Sequence, residues 1–277
     1  MSAFDELYVM ARRVLLDALD ALGQHRDAIV LVGAQAIYLR VGDVDLAVTP
    51  YTTDGDLVID QAVLAEIPPL ERALLDAGFY PKTKDSVGAW LTTRKTSQQV
   101  DAKMAIDLLV PASVSPGTGR RAARLPGHGT RATRIVRGLD GAIVDADVMK
   151  LAALEEDDAR TIDIRVAGPA ALVVAKVHKI DDRKDSDRQS DKDALDVLRL
   201  LRGTETDELV ARWAKLFGDK RSEEAARRRR GLLESQFARR QNVGVQMAIR
   251  SAGALGDAEE IAVLFEALVG DFLAALK

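Results

Sequence analysis

Residues 28–60, AIVLVGAQAIYLRVGDVDLAVTPYTTDGDLVID, decide how this chain reads. A short β-branched run, residues 29–32, breaks at Gly33 and gives way to a small-residue, helix-competent segment over 34–40. The chain then returns through a turn-rich loop to a second strand that opens on Thr53-Asp54-Gly55-Asp56. Side chains alternate along a strand with period two, so Asp54 and Asp56 point to one face. Two carboxylates held so close repel unless a cation lies between them, which makes the pair a candidate Mg²⁺ site. A glycine where a strand turns into a helix lets a phosphate approach the backbone N–H groups of the first helical turn. The stretch therefore suits a nucleoside triphosphate and its metal ion.

With 277 residues the chain can bury a sizeable core in one large domain or two ordinary ones. Its 47% hydrophobic and 30% charged residues are those of a soluble globular protein, not a disordered one. No apolar run approaches the ~20 residues that span a bilayer, so no membrane partner is expected. The opening MSAFDELYVMARR carries early acids and lacks the basic-then-apolar order of a signal peptide. With no cysteine, disulfides, thiolate catalysis and cysteine zinc sites are excluded, and the cytoplasm is the expected compartment. A net charge of −4 argues against a uniformly basic nucleic-acid binder but hides two arginine-rich segments.

Working outward, residues 4–22 read as an amphipathic helix, with Leu7, Met10, Val14, Leu15, Leu19 and Leu22 near helical spacing. Pro68-Pro69 lead into a helix over 70–77 that ends at Gly78. Segments 87–94 and 103–110 read as two strands of a hairpin. Asp107 lies in the second, among Ile106, Leu108 and Leu109, where a carboxylate is costly to bury without a partner. It is either a solvent-facing acid on an edge strand or a third metal ligand or general base beside Asp54 and Asp56. From 116 to 138 the pattern dissolves into PGTGRRAARLPGHGTRATRIVRG, with Arg120, Arg121, Arg124, Arg131, Arg134 and Arg137 and no acid among them. This reads as a long loop or loose hairpin that could track a nucleic-acid backbone or could simply be solvated. His128 within it is expected to be exposed.

Segments 142–151 and 161–167 read as a short helix or strand and then a strand. Gly168-Pro169 starts a helix over 170–180, with proline suited to the first turn. The polar connector DDRKDSDRQS leads to a helix over 191–201, in which Leu195, Leu198 and Leu201 form a stripe and Asp193 and Asp196 share another face. From 204 onward the chain reads as helical, including the basic run 227–230 and an apolar helix over 258–276. The fold class is therefore α/β (α+β), a mixed sheet flanked by helices and followed by an all-helical half. The expected domains are 1–167, and 168–277 completing the active-site cleft.

These pieces, in this order, resemble the AbiEii/MenT-type nucleotidyltransferase toxins within the polymerase-β-like nucleotidyltransferase superfamily. Leu31-Val32-Gly33-Ala34 matches the family's strand and glycine turn, and Thr53-Asp54-Gly55-Asp56-Leu57 its T/S-D-x-D-like signature. Ala175-Lys176-Val177-His178-Lys179 matches the helix with a functional lysine, and Lys192-Asp193-Ala194-Leu195-Asp196 the K/R-D-x-x-D helix. The resemblance implies that Gly33, Ala34, Thr53 and Lys176 meet the nucleotide, that Asp54, Asp56 and Asp107 hold Mg²⁺, and that Asp193 orients Lys176 or the nucleotide. It further implies transfer of NMP from an NTP to RNA, at the 3′ end of tRNA, by the toxin of a toxin–antitoxin pair with a cognate antitoxin.

Two departures bear on that carry-over. Ala34 stands where many members have glycine or serine, so backbone N–H groups must replace a hydroxyl at the phosphate. A second D-x-D, Asp43-Val44-Asp45, rivals Asp54 and Asp56, which are preferred because Thr52-Thr53 precede them and a clean strand follows. Lys179 is the rival of Lys176 on the same helix face, and His178 is expected to be structural. The segments 120–137 and 227–240 are candidate RNA contacts if they converge on the active site, the alternative being solvated or acid-balanced surfaces. Other readings are a fold relative that binds nucleotide or a partner without turnover, and transfer to a protein or small molecule.

Overall fold

The amphipathic opening segment forms α1 (Glu6–Ala21), capped by Asp5, whose carboxylate accepts hydrogen bonds from the Leu7 and Tyr8 amides. The β-branched run forms β1 (Ile29–Val32), every residue of it buried, and Gly33 opens α2 (Gly33–Val41). The computed structural model describes residues 5–42, 51–114, 121–184 and 190–276. They divide into two compact units. One comprises Met1–Ala36, Pro50–Arg137 and Ala146–Val166, and the other Ile37–Thr49, Gly138–Asp145 and Ala167–Lys277.

The first unit is built on an eight-stranded mixed sheet. After β2 (Asp54–Ile59) and α3 (Leu70–Asp76) come β3 (Tyr80–Pro81), β4 (Ala89–Lys95) and β5 (Asp101–Pro111). Next are β6 (Arg134–Val136), β7 (Ala146–Ala152) and β8 (Thr161–Ala167). The strand order is β3-β4-β5-β2-β1-β8-β7, with β6 also paired to β5. β4 and β5 form the expected antiparallel hairpin, β1 pairs antiparallel with β2, and β2 pairs parallel with β5.

Two local readings need correction. β5 is an interior strand, so Asp107 is not an edge-strand acid. Of the two readings of the basic segment, loop or loose hairpin, the loop does not hold for its end. Residues 121–123 pair antiparallel with 133–135, and apolar Ile135 and Val136 add to the sheet as β6, beside the part of β5 that β4 does not cover.

On the sheet, α1 packs through Leu15 against Gly55 and thereby covers the face to which Gly55 and Ile106 point. Arg12 of α1 is buried and satisfied: its Nε donates to Gln35 Oε1 at 2.9 Å and its Nη1 to the Ala152 carbonyl at 3.0 Å. That pairing fixes the first turn of α2 against α1.

The second unit is helical: α4 (Gly141–Val144), α5 (Pro169–Arg183), α6 (Lys192–Arg202), α7 (Thr206–Gly218), α8 (Glu223–Phe237), α9 (Val243–Ala252) and α10 (Ala258–Ala275). Its core is anchored by aromatic pairs, Trp213 with Phe272 at 5.1 Å and Phe237 stacked on Phe265 at 5.0 Å. No helix among the described residues is long and apolar enough to cross a membrane.

The start of α5 depends on a residue distant in sequence. Pro169 suits the first turn, and the buried Asp145 carboxylate accepts the Ala171 amide at 3.2 Å there. Arg212 holds the same carboxylate at 2.9 Å. A Cβ at Gly168 would lie 2.1 Å from Asp145 Oδ2, so glycine is needed for the carboxylate to reach the helix end. Asp145→Ala removes the carboxylate that holds the Ala171 amide and Arg212, while Arg212 keeps Glu208 at 2.8 Å, and is expected to cost about 2 kcal/mol. A lowered urea midpoint at unchanged m-value checks this, and a wild-type midpoint would refute it.

Candidate functional site

The register of the first unit sets the candidate site. Asp56 lies opposite Val32 of β1 on one side and opposite Asp107 of β5 on the other. Directly paired residues of neighbouring strands point to the same face. Asp54, Asp56 and Asp107 therefore share one face of the sheet, opposite the face on which Gly55 meets Leu15 of α1.

Gly33 is required at the edge of this face for two reasons. Its φ is +69°, a left-handed conformation that side chains disfavour, and a Cβ there would lie 2.1 Å from Asp56 Oδ2. The Asp56 carboxylate thus stands directly against the strand-to-helix turn. The Thr52 hydroxyl contacts Asp54 Oδ1, and the Thr53 carbonyl accepts the Ala105 amide at 3.1 Å, which pins the entry to β2. Ala34 is buried in the first turn of α2, next to the Arg12-held Gln35.

Asp107 has a partner that its strand did not reveal. Arg134 Nη2 lies 2.5 Å from Asp107 Oδ2. Burial pushes the Asp107 carboxyl above the ordinary carboxylate range, Arg134 pulls it back, and the like charge of Asp54 pushes it up again. Arg134 was legible only as one of a run of arginines. The parallel pairing of β6 with β5 gives it a specific partner. His128, from the same segment, is half-buried rather than exposed: Nδ1 accepts the Leu70 amide at 3.1 Å, and Nε2 lies 2.9 Å from the Ala65 carbonyl.

In the second unit, Lys176 of α5 and Asp193 of α6 meet. Lys176 Nζ lies 2.7 Å from Asp193 Oδ1 and 2.7 Å from Asp196 Oδ2. Lys179 reaches Asp193 at 2.9 Å, and Arg199 reaches Asp196 at 2.9 Å. Lys176 is buried, whereas the Lys179 side chain is 38% exposed. Burial pulls the Lys176 ammonium down, but Asp196 and Asp193 outweigh it and hold it above the usual lysine range. Burial pushes Asp193 up, but Lys176 and Lys179 outweigh it and hold the carboxyl at about 2.

Three arginines of the basic run 227–230 are engaged. Arg229 is buried against His178 Nδ1, Arg227 pairs with Glu223 at 2.8 Å, and Arg228 lies 3.7 Å from Asp181. Burial pushes the His178 imidazole below its ordinary value, and the Arg229 charge adds to that. Asp43, Asp45 and Arg120 lie outside the described residues.

Chemically, the acid face offers hard carboxylate oxygens of the kind that hold Mg²⁺, so its donor set fits a divalent ion. As the side chains stand, no three acidic or histidine residues among those described form a ready metal cluster, and Asp107 is turned to Arg134.

A depressed carboxyl contributes stability that is present above its unfolded pKa of about 3.9 and lost as pH falls toward the folded value. Asp193→Asn is therefore expected to lower stability at neutral pH, with the deficit shrinking below about pH 4. Denaturation midpoints of both proteins across that range check this, and a pH-independent deficit would contradict it.

No curated protein sequence matches the chain. Among solved structures, the protein JHP933 from Helicobacter pylori shares 15% identity over 99% of this chain and 95% of its own, with a TM-score of 0.45. An antigenic nucleotidyltransferase-like protein from Paracoccidioides brasiliensis shares 17% identity over 82% of this chain and 93% of its own, with a TM-score of 0.42. A nucleotidyltransferase sequence family matches residues 11–217, from within α1 to the end of α7. That span includes both the acid face and the α5–α6 ion-pair cluster, and the chain belongs to the nucleotidyltransferase family.

Proposed function

We propose that this nucleotidyltransferase moves NMP from an NTP to an RNA acceptor in a Mg²⁺-dependent reaction. In this reading the acceptor is the 3′ end of tRNA, the compartment is the cytoplasm, and the protein is the toxin of a toxin–antitoxin pair. The observation that carries the proposal is the acid face, with Asp54, Asp56 and Asp107 on one side of the sheet and Asp56 against Gly33. The tRNA acceptor and the antitoxin partner rest on the resemblance to AbiEii/MenT-type toxins. The exposed Arg121, Arg124, Arg131 and Arg137 of the first unit are compatible with a phosphodiester backbone.

Nucleotidyl transfer is an in-line displacement at the α-phosphorus, with the acceptor hydroxyl attacking and pyrophosphate leaving. A divalent ion, when bound, neutralises charge on the phosphate oxygens. Asp54 and Asp56 would hold it, with Asp107 as the third carboxylate of the face. In this reading phosphate oxygens would meet the first amides of α2 beside Gly33, which suits a chain that lacks a hydroxyl at Ala34. Lys176, fixed between Asp193 and Asp196, would meet the nucleotide phosphates, with the partly exposed Lys179 beside Asp193 as its rival.

A second reading has an observation of its own. The Arg134–Asp107 pair occupies a carboxylate that the reaction would use, which favours a nucleotide- or partner-binding protein without turnover. Purified protein incubated with labelled NTPs, Mg²⁺ and total tRNA separates the two. Label is expected on RNA, and Asp54→Ala is expected to reduce it by roughly a thousandfold. NTP binding without transfer to any acceptor would establish the second reading, and label on protein alone would indicate a protein acceptor.

The two lysines are also separable. Lys176→Ala is expected to cost about 3 kcal/mol of stability, because it removes a buried ion-pair partner. Lys179→Ala is expected to cost less than ~1 kcal/mol, since its ion pair is partly solvated, yet to weaken NTP binding roughly tenfold. Thermal melts and calorimetric NTP titration measure both. Wild-type NTP affinity in Lys179→Ala would remove that residue from the site.

A further inference from the structure

We infer that Arg134 takes the place of a cation at Asp107, so that Asp54 and Asp56 alone hold the divalent ion and Asp107 stands beside it as a guanidinium-anchored carboxylate. The inference deepens the metal-dependent reading above and rests on it. Three observations carry it.

The first is that the position of Arg134 is built into the backbone. Arg134 lies opposite Leu109 in the parallel pairing of β6 with β5 and bridges to Ala122 on its other side. Gly88, with φ +66°, lets this segment come close: a Cβ there would lie 2.5 Å from the Arg134 nitrogen and 2.6 Å from the Leu108 carbonyl oxygen. The Gly88 amide in turn donates to the Arg131 carbonyl at 2.9 Å, and the Leu108 amide donates to the Gly88 carbonyl at 2.8 Å. Arg134 is thus clamped from both sides at the strand that carries Asp107.

The second is that the contact is specific. Arg134 Nη2 donates to Asp107 Oδ2 at 2.5 Å, with the two side chains only 33% and 20% exposed. Arg134 Nε is buried and makes no hydrogen bond, so among the described residues Asp107 is the ionic anchor of this guanidinium. A short charge-assisted bond of this kind competes directly with a metal ion for the same oxygen.

The third is charge balance. Three carboxylates on one sheet face carry three negative charges, and one divalent ion leaves one of them uncompensated. The Arg134 guanidinium, joined by the charge of Lys82, supplies positive charge at Asp107, and a second divalent ion there would stand against cations already present. With Oδ2 held, Oδ1 of Asp107 remains for a neutral donor such as an acceptor hydroxyl. Arg134 is in this sense a positioning residue that acts through Asp107.

Mn²⁺ binding to the purified full chain, followed by electron paramagnetic resonance, tests the inference without any turnover. Asp54→Asn is expected to weaken Mn²⁺ binding by about tenfold or more, while Asp107→Asn stays within about twofold of wild type. Arg134→Ala frees Asp107 and is expected to gain a second Mn²⁺ equivalent or to tighten the first, whereas Arg134→Lys keeps wild-type behaviour. Weakening in Asp107→Asn equal to that in Asp54→Asn overturns the inference while leaving the metal-dependent reading intact. Unchanged Mn²⁺ binding in Asp54→Asn overturns both. Should Arg134→Ala fail to fold by circular dichroism, the Asp107→Asn and Arg134→Lys titrations still decide.

Discussion

An oxygen of Asp56 stands where a side chain at Gly33 would begin. Everything described at the acid face depends on that approach. The antiparallel register of β1 with β2 brings Asp56 level with Val32, one residue before the turn, and the parallel register of β2 with β5 then brings Asp107 level with Asp56. Any residue larger than glycine at position 33 would push the carboxylate away and would also resist the left-handed backbone of the turn. A one-residue slip of β2 would send both of its acids to the face that α1 covers.

Buried and half-buried charges at the sites described above are paired across different elements. Arg134 meets Asp107 in the first unit; Asp145 meets Arg212, and Lys176 meets Asp193 and Asp196, in the second. Such pairs add little net stability compared with apolar packing, but each is costly to break from one side. They therefore specify geometry. Asp145 fixes the start of α5, and the lysine cluster on the same helix fixes its relation to α6.

The local readings succeeded where periodicity and turn chemistry act alone. The amphipathic spacing of α1, the β-branched run of β1, the strand hairpin of β4 and β5 and the proline start of α5 were all legible, because each follows from neighbours along the chain. The basic segment reads as a long loop or loose hairpin, and the hairpin is present in the pairing of 121–123 with 133–135. The joining of β6 to the sheet is not legible, because β6 is short and its partner strand is far away in sequence. His128 was misread as exposed for a related reason, since the carbonyl and amide it meets belong to residues 65 and 70.

By itself the sequence determined the class of fold, the same-face placement of Asp54 and Asp56, and the need for a glycine between strand and helix. Period-two alternation and φ preference are properties of adjacent residues. Only the tertiary structure decided that Asp107 joins that face, that Arg134 binds it, and that Lys176 is buried between two acids while Lys179 reaches solvent. Those outcomes depend on strand register and helix packing, which are set by the summed burial of many residues and leave no mark at the positions that carry the chemistry.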